Sequence, residues 1–163
     1  MAFNVRKSRL SDLEQIALIH VKSWETAFKG LMPERYINNY TLEDRNAEWL
    51  SVLGSGSESV IVAEDNNKLV GFLSYSENVN FLNLSKLYLC PSMYGKGVGG
   101  LLMKQMENEA LTASLDLIRL YVLNNNKSAI NFYSKQGFEF GDGFESEEFE
   151  GETIIDLLME KRL

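Results

Sequence analysis

The sequence is poor in the residues that cross-link small domains. Among its 163 residues it has one cysteine, Cys90, and one histidine, His20. One cysteine excludes an intrachain disulfide, and these two residues alone exclude the ligand spacing of a zinc finger. A chain of this length buries about 70% of the surface that its unfolded form exposes, so a core forms without cross-links. We expect one domain spanning residues 1–163, with no metal site.

Long apolar runs are also missing. No segment approaches the roughly 20 consecutive apolar residues that a membrane-spanning helix requires. The first seven residues lack the long apolar region of a secretory signal. Apolar residues make up 45% of the chain and charged residues 24%, a balance that argues against disorder and against a coiled coil. We therefore expect a soluble, cytoplasmic protein with no membrane partner.

Basic charge is scarce relative to acidic charge. The chain has 16 lysines and arginines against 23 aspartates and glutamates, a net charge of −7. Seven acidic residues lie between Glu139 and Glu152 with no basic residue among them, and the remainder of the chain is balanced. A protein that binds a nucleic-acid backbone needs a basic face, so we expect no nucleic-acid partner. The acidic segment either protects the edge of a hairpin or attracts a cationic substrate.

Apolar periodicity and turn residues predict a mixed α/β fold. Helical spacing of apolar residues begins at Ser11, and Gly30 and Pro33 end it. Short β-branched and apolar runs predict strands, the last two joined near Glu150 and Gly151. The order β-α-α-β-β-β-α-β-α-β-β is typical of a mixed sheet with helices on its faces. The predicted elements span residues 2–7, 11–28, 41–53, 59–64, 69–76, 81–89, 98–113, 117–123, 128–136, 138–146 and 153–160.

A glycine-rich turn lies between a predicted strand and a predicted helix. Residues 94–100 contain four glycines, and Lys96 adds a positive charge. Glycine lets the backbone approach a ligand closely, and the first N–H groups of a helix have no intrahelical acceptor. Together these features indicate an anion site suited to phosphate or pyrophosphate. The alternative is a tight turn without a ligand.

Two familiar nucleotide sites fit this turn poorly. Gly95, Gly97 and Gly100 satisfy the G-x-G-x-x-G spacing of a dinucleotide site. That site also requires an acidic residue at the end of the next strand, to bind the ribose. The next predicted strand ends at residues 121–124 without one. A Walker P-loop is excluded because no Gly-Lys-Ser/Thr follows the glycines.

Two motifs resemble those of the GNAT superfamily of N-acetyltransferases. Residues 87–91, followed by residues 94–99, are similar to its acetyl-CoA motif, whose usual form is Gln/Arg-x-x-Gly-x-Gly/Ala. The second motif, Asn-x-x-Ala-x-x-x-Tyr-x-x-x-Gly-Phe, begins at Asn126 and includes Tyr133. The spacing of the motifs and the element order are also those of the superfamily. The resemblance implies a GNAT fold in which splayed central strands hold acetyl-CoA.

The resemblance assigns roles to individual residues. Backbone amides from Tyr94 to Gly99 would hold the pyrophosphate of coenzyme A, and the backbone of Leu87 and Leu89 would pair with the pantetheine arm and the acetyl carbonyl. Tyr133 would protonate the leaving thiolate as a catalytic residue. The implied cofactor-binding residues are Leu87, Tyr88, Leu89, Tyr94, Gly95, Lys96, Gly97, Val98, Gly99, Gly100, Asn126 and Ala129.

The proton acceptor is the departure from the family pattern. An alkylammonium has a pKa of about 10.4, so neutralising it at pH 7 costs roughly 4.6 kcal/mol. Many family members carry a glutamate two residues before the Leu87 position, where this chain has Ser85. Glu77, His20, Glu25 or a water chain past Ser85 are the alternatives. Tyr94 also replaces the usual Gln or Arg, with the backbone N–H retained.

The acceptor pocket is implied by the end of the first helix. Trp24 and Phe28 lie one turn apart and either shape this pocket or pack into the core. We also expect Glu77 to bind substrate, and we expect Cys90 to be a buried thiol. The resemblance implies transfer of an acetyl group to a primary amine of a small molecule or a peptide N-terminus, by direct attack. The alternative is a GNAT-like module that binds coenzyme A without transferring, and the resemblance also allows a homodimer.

Overall fold

A seven-stranded mixed sheet with helices on both faces organises the chain. The computed structural model describes residues 2–163. The predicted α/β class and element order are confirmed, with one short helix added. The strands are β1 (Asn4–Lys7), β2 (Ser59–Asp65), β3 (Lys68–Glu77), β4 (Leu82–Leu89), β5 (Leu117–Leu123), β6 (Glu139–Phe149) and β7 (Glu152–Arg162). The helices are α1 (Leu13–Phe28), α2 (Glu34–Ile37), α3 (Leu42–Ser55), α4 (Val98–Thr112) and α5 (Lys127–Lys135).

The two central strands separate along their length. The strand order is β1-β2-β3-β4-β5-β7-β6, and β4 with β5 is the parallel pair. This pair is joined only where Leu82–Leu84 faces Ile118–Leu120. Beyond that point β4 stays paired with β3, and β5 stays paired with β7. A gap therefore opens between the carboxyl ends of β4 and β5, which is the splay implied by the family resemblance.

Each face of the sheet carries its own core. On the face that we call the α4 face, α4 buries Leu102, Met103 and Met106, and α5 packs beside them. On the opposite face, which we call the α1 face, α1 and α3 pack over β2 and β3 around Trp49 and Phe72. Side chains alternate between the two faces along each strand. The position of a residue in its strand therefore indicates whether its side chain lies on the α4 face or on the α1 face of the sheet.

Several element boundaries differ from the sequence prediction. The first α-helix begins at Leu13 rather than Ser11, because Leu10–Asp12 forms a turn of 3₁₀ helix. The Asp12 carboxylate holds this turn by accepting the Arg9 N–H at 2.7 Å and by pairing with Arg6 at 2.9 Å. Helix α2 follows Pro33 and was not predicted, since four residues are too few for a periodic signal.

The last two strands form a longer hairpin than predicted. They continue to Phe149 and Arg162, and the turn between them is at Glu150 and Gly151, as the sequence indicated. Both turn residues have positive φ, 49° and 82°. Positive φ at both central residues matches the right-handed twist of the strands in a two-residue hairpin. Among residues 2–163, no helix is long and apolar enough to cross a membrane.

Candidate active site

The gap between β4 and β5 opens into a cavity of about 850 Å³. It extends from the glycine turn, past α5, to the end of α1 and the hairpin of β6 and β7. Two predicted site residues, Lys96 and Glu77, are not part of its lining. The predicted residues that the structure brings together here are Trp24, Phe28, Leu87, Tyr88, Leu89, Tyr94, Gly95, Gly97, Val98, Gly99, Gly100, Asn126, Ala129 and Tyr133.

The glycine turn presents a row of free backbone donors. Gly95 and Gly97 are left-handed, with φ of 76° and 85°, and a Cβ built on either would meet no atom within 4 Å. The N–H groups of Gly95, Gly97 and the first three residues of α4 find no acceptor among residues 2–163. These five free N–H donors at a helix N-terminus fit a pyrophosphate.

Two amides of this turn are already used, which corrects the sequence prediction. The N–H of Tyr94 donates to Pro91 O at 3.2 Å, and that of Lys96 donates to Met93 O at 3.3 Å. Both bonds belong to the 3₁₀ turn Pro91–Met93 and its continuation, which needs these donors to close. The Lys96 side chain is exposed and outside the cavity lining.

Close packing explains why position 99 of the turn is a glycine. A Cβ on Gly99 would lie 3.0 Å from two ring atoms of Phe132 in α5, so only glycine lets α4 and α5 approach this closely. Asn126 caps α5, because its Oδ1 accepts the Ala129 N–H at 3.2 Å. Asn126 and Ala129 thereby border the cavity on the side of the gap opposite β4.

The splayed part of β4 directs two amides into the gap. The Cys90 N–H donates to Val70 O at 2.8 Å across the ladder with β3. Antiparallel ladders use alternate residues, so the N–H groups of Tyr88 and Lys86 also point to β3. Those of Leu87 and Leu89 point the other way, to the space that β5 has left. This geometry suits hydrogen bonding to an extended ligand in the gap.

Tyr133 borders the cavity from α5. Its ring packs against Phe132 and Phe138, with centroids 5.4 and 5.9 Å away, and it belongs to the core of the α4 face. Burial raises the pKa of the Tyr133 phenol above its usual value. The hydroxyl therefore keeps its proton at neutral pH and acts as a hydrogen-bond donor.

Aromatic side chains form the wall of the cavity beyond the gap. Trp24 and Phe28 meet edge to face with centroids 4.7 Å apart. The Trp24 indole donates to Ile37 O at 3.2 Å, and the Arg45 guanidinium lies 5.0 Å from its ring centroid. Tyr36 of α2 stacks beside Trp24 at 6.3 Å. Trp24 thus both lines the cavity and packs into the surrounding structure. The two roles expected for it, shaping the acceptor pocket and packing into the core, are therefore compatible.

Two carboxylates line the same part of the cavity: Glu147, which belongs to the acidic segment expected to protect a hairpin edge or attract a cationic substrate, and Asp156, which was not expected at the site. Glu147 of β6 accepts the Tyr36 hydroxyl at 2.9 Å. Asp156 of β7 is half-buried, and burial, followed by Glu145 and Glu147, raises the pKa of its carboxyl. A signal for Asp156 was present, since it is a single charged residue within the apolar run 154–159.

Three of the alternative proton acceptors, His20, Glu25 and Glu77, lie outside the cavity lining. His20 is buried, and its Nδ1 accepts the Trp49 indole N–H at 3.0 Å. Burial lowers its pKa to about 3, with Arg45 and Lys86 adding to the shift, so it is a neutral core residue. Glu25 is exposed and outside the cavity lining.

Glu77 does not line the cavity, so the structure does not place it where an acceptor would bind. It lies opposite Leu82 at the start of β4, whereas the gap is at the far end of that strand. Ser85 does line the cavity. Cys90 lies outside the lining and is partly buried, and burial raises the pKa of its thiol, so it stays protonated.

Comparison with known proteins identifies this arrangement. The family model described as "Acetyltransferase (GNAT) family" matches residues 19–138. The chain belongs to the GNAT family. Spermidine N(1)-acetyltransferase of Thermoplasma acidophilum is 29% identical over 147 residues, which are 87% of this chain and 91% of that protein. Mouse thialysine N-epsilon-acetyltransferase is 34% identical over 77 residues, 45% of each chain.

Solved GNAT structures share the fold over the whole chain. The PaiA N-acetyltransferase of Thermoplasma acidophilum, in complex with coenzyme A, has a TM-score of 0.78 and 27% identity, with 100% of both chains covered. The protein is therefore an acetyl-CoA-dependent N-acetyltransferase. The readings as a dinucleotide binder and as a module without transfer activity are set aside. The free amides of the glycine turn and of splayed β4 fit the pyrophosphate and the extended arm of this donor.

Proposed function

We propose that this GNAT enzyme acetylates a small amine that carries a second positive charge, as polyamines do. The observation that carries this proposal is the pair Glu147 and Asp156 in an aromatic cavity, with no ion-pair partner for either among residues 2–163. Asp156 is half-buried, and a carboxylate in that position is costly unless a cation accompanies it. Glu147 is exposed beside it, and the aromatic faces attract the same cation. The similarity to a spermidine acetyltransferase supports this substrate class.

The contacts of α2 favour a small molecule over a folded protein terminus. Tyr36 binds Glu147, packs edge to face on Phe149 at 5.0 Å, and neighbours Arg35, whose guanidinium pairs with Glu150 at 2.8 Å. Helix α2 thereby bridges the end of α1 to the tip of the hairpin, across the outer end of the cavity. A bulky acceptor would have to break these contacts.

Residues of the cavity divide into donor-binding and chemical roles in this proposal. Bound acetyl-CoA supplies the acetyl thioester. The free N–H groups of Gly95 and Gly97–Gly100 bind the pyrophosphate, and those of Leu87 and Leu89 bind the arm and polarise the acetyl carbonyl. Tyr133 donates its proton or a hydrogen bond to the departing sulfur. Trp24 and Phe28 bind the carbon chain of the acceptor.

The unit of function in this proposal is one domain of residues 1–163, acting in the cytoplasm. A homodimer would need an interface away from the outer edge of β6. That edge carries Glu145, Glu147, Glu148 and Glu150, and a two-fold axis there would bring like charges together.

A matched set of acceptors tests the substrate class. Acetyl transfer is followed as thiol release with 1,6-diaminohexane, hexylamine and 6-aminohexanoate, which share a chain length and differ in the charge at the far end. We expect kcat/KM to be highest for the diamine and lowest for the amino acid. The KM of the diamine should rise between 0.1 and 1 M salt, because the Debye length falls from about 10 to about 3 Å. A preference for hexylamine or aminohexanoate would refute a cationic acceptor.

A further inference from the structure

The reaction needs a proton acceptor on the side from which the amine enters. Ser85 occupies the strand position that the family resemblance associates with that role, and a hydroxyl is not basic at neutral pH. Of the ionisable side chains in the cavity lining, only Glu147 and Asp156 are carboxylates. Glu147 is already hydrogen-bonded to Tyr36, close to α2.

Strand register aligns Asp156 with the reacting end of the gap. Leu84 of β4 lies beside Leu120 of β5 in the parallel pair. Because β4 has one extra, bulged residue at Ser85, Tyr88 and Leu123 stand at the same level on either side of the gap. Leu123 is paired directly with Asp156 of β7. Asp156 therefore lies one strand beyond the gap, at the level of Tyr88, between the Leu87 and Leu89 N–H groups that point into it.

The faces of the sheet separate Asp156 from Tyr133. Val122 belongs to the core of the α4 face, so its neighbour Leu123, and Asp156 opposite, point to the α1 face. The amine-binding aromatic wall stands on that face as well, since Trp24 and Phe28 belong to α1. Tyr133 packs with the α4-face core. A carboxylate and a phenol thus border the gap from opposite faces.

The charges around Asp156 increase its basicity. Glu145, its direct partner in β6, and Glu147, two residues further on, stand on the same face. From β4 two groups face this side of the cavity: Lys86, whose ammonium pairs with Glu58 at 3.2 Å, and the Tyr88 phenol, whose pKa is raised by burial first and then by Tyr133, with Asp156 contributing. Among residues 2–163, no lysine, arginine or histidine forms an ion pair with Asp156. Burial and like charge both favour proton uptake by a carboxylate.

We propose that Asp156 is the general base that accepts the proton of the acceptor amine. This inference rests on the N-acetyltransferase activity and on the cavity described above. One ammonium proton leaves to solvent, and the amine nitrogen forms a bond to the acetyl carbon as it passes a second proton to the Asp156 carboxylate. The carbon–sulfur bond breaks, its electron pair goes to sulfur, and Tyr133 or solvent protonates that sulfur. The products are the N-acetylated amine, the free thiol and one proton released per turnover.

The kinetic test compares Asp156→Asn with wild type using both 1,6-diaminohexane and hexylamine. For a general base, we expect kcat/KM to fall by about 10²-fold or more with both acceptors, and the affinity for acetyl-CoA to stay unchanged. The limb of the pH profile that reports the base should disappear in the variant and leave only the rise of tenfold per pH unit that comes from deprotonation of the ammonium in solution. A loss confined to the diamine would mean that Asp156 only binds the distal ammonium, and would overturn the proposal while leaving the substrate class intact.

Two neighbouring glutamates supply the matched controls. Glu145→Gln removes a like charge beside Asp156, so we expect the base limb to move to lower pH without disappearing. Glu148→Gln removes an equal charge from the other face of β6, where the carboxylate accepts the Thr153 hydroxyl, and should leave the limb in place. Identical profiles for these two variants would count against Asp156 as the group that titrates.

Thermal unfolding without ligand provides a readout independent of turnover. Because the folded-state pKa of Asp156 is raised, its ionised form destabilises the fold, and this cost appears as pH rises through that pKa. We expect Asp156→Asn to raise Tm at pH 7, with the gain disappearing at pH values below the pKa of an unfolded aspartate, about 3.9. A lower Tm at pH 7 would indicate a structural role instead.

Discussion

Replacing Gly97 by glutamate should perturb the acetyl-CoA site without disturbing the packing of neighbouring side chains. Gly97 is the residue that precedes α4, and its φ of 85° lies in the left-handed region. A Cβ there meets no protein atom within 4 Å. Because Gly97 lines the cavity, the new side chain enters the space next to the free amides.

The size of the effect follows from the lost interactions. A left-handed conformation costs an L-residue about 1–2 kcal/mol, which lowers Tm by about 2–8 °C in a chain of this size. A hydrogen bond from an amide to a charged phosphate is worth about 1.5–3 kcal/mol, and a carboxylate 4 Å from the phosphate adds about 1 kcal/mol of repulsion even in water. The dissociation constant of acetyl-CoA should therefore rise by about 10²-fold or more.

Gly56→Glu is the matched control for this experiment. Gly56 ends α3 with a φ of 70°, has open space around its Cβ position, and lies outside the cavity lining. It should therefore show the same backbone cost and the same added charge without any effect on the donor. Calorimetric titration with acetyl-CoA and thermal unfolding are measured on both variants. Equal affinities for acetyl-CoA in the two variants would refute the assignment of the pyrophosphate to this turn.

Three further predictions concern the chemistry and the charges of the cavity. Tyr133→Phe should lower kcat by about 10²-fold with acetyl-CoA affinity retained, and an unchanged kcat when chemistry limits the rate would mean that solvent protonates the thiolate. Glu147→Gln should raise the KM of a diamine several-fold and reduce its salt dependence, whereas Glu148→Gln should change neither, and equal effects would favour a diffuse surface field. The His20 imidazole should show no NMR titration between pH 8 and pH 5, because its folded pKa is about 3; the fold loses stability from His20 only as pH falls below its unfolded pKa of about 6.5.

Features governed by local spacing could be predicted from the sequence. The glycine turn is predictable because positive φ and unpaired N–H groups depend on a few neighbouring residues, and Gly95 and Gly97 have the conformations that the pattern implied. The same holds for Gly137, which follows the predicted helix 128–136 and has a φ of 96°. Period and turn chemistry were sufficient to order the strands and helices along the chain.

Features governed by strand pairing were decided only by the tertiary structure. Glu77 and Asp156 are both acidic residues in strands, and although Asp156 interrupts an apolar run, its sequence neighbours do not show which of the two borders the gap. The pairing of β3 with β4 places Glu77 away from the gap, whereas the pairing of β5 with β7 brings Asp156 to its edge. The amides of Tyr94 and Lys96 were lost to a 3₁₀ turn that composition does not encode. Contacts between residues far apart in sequence depend on register, and a shift of one residue would send each side chain to the opposite face.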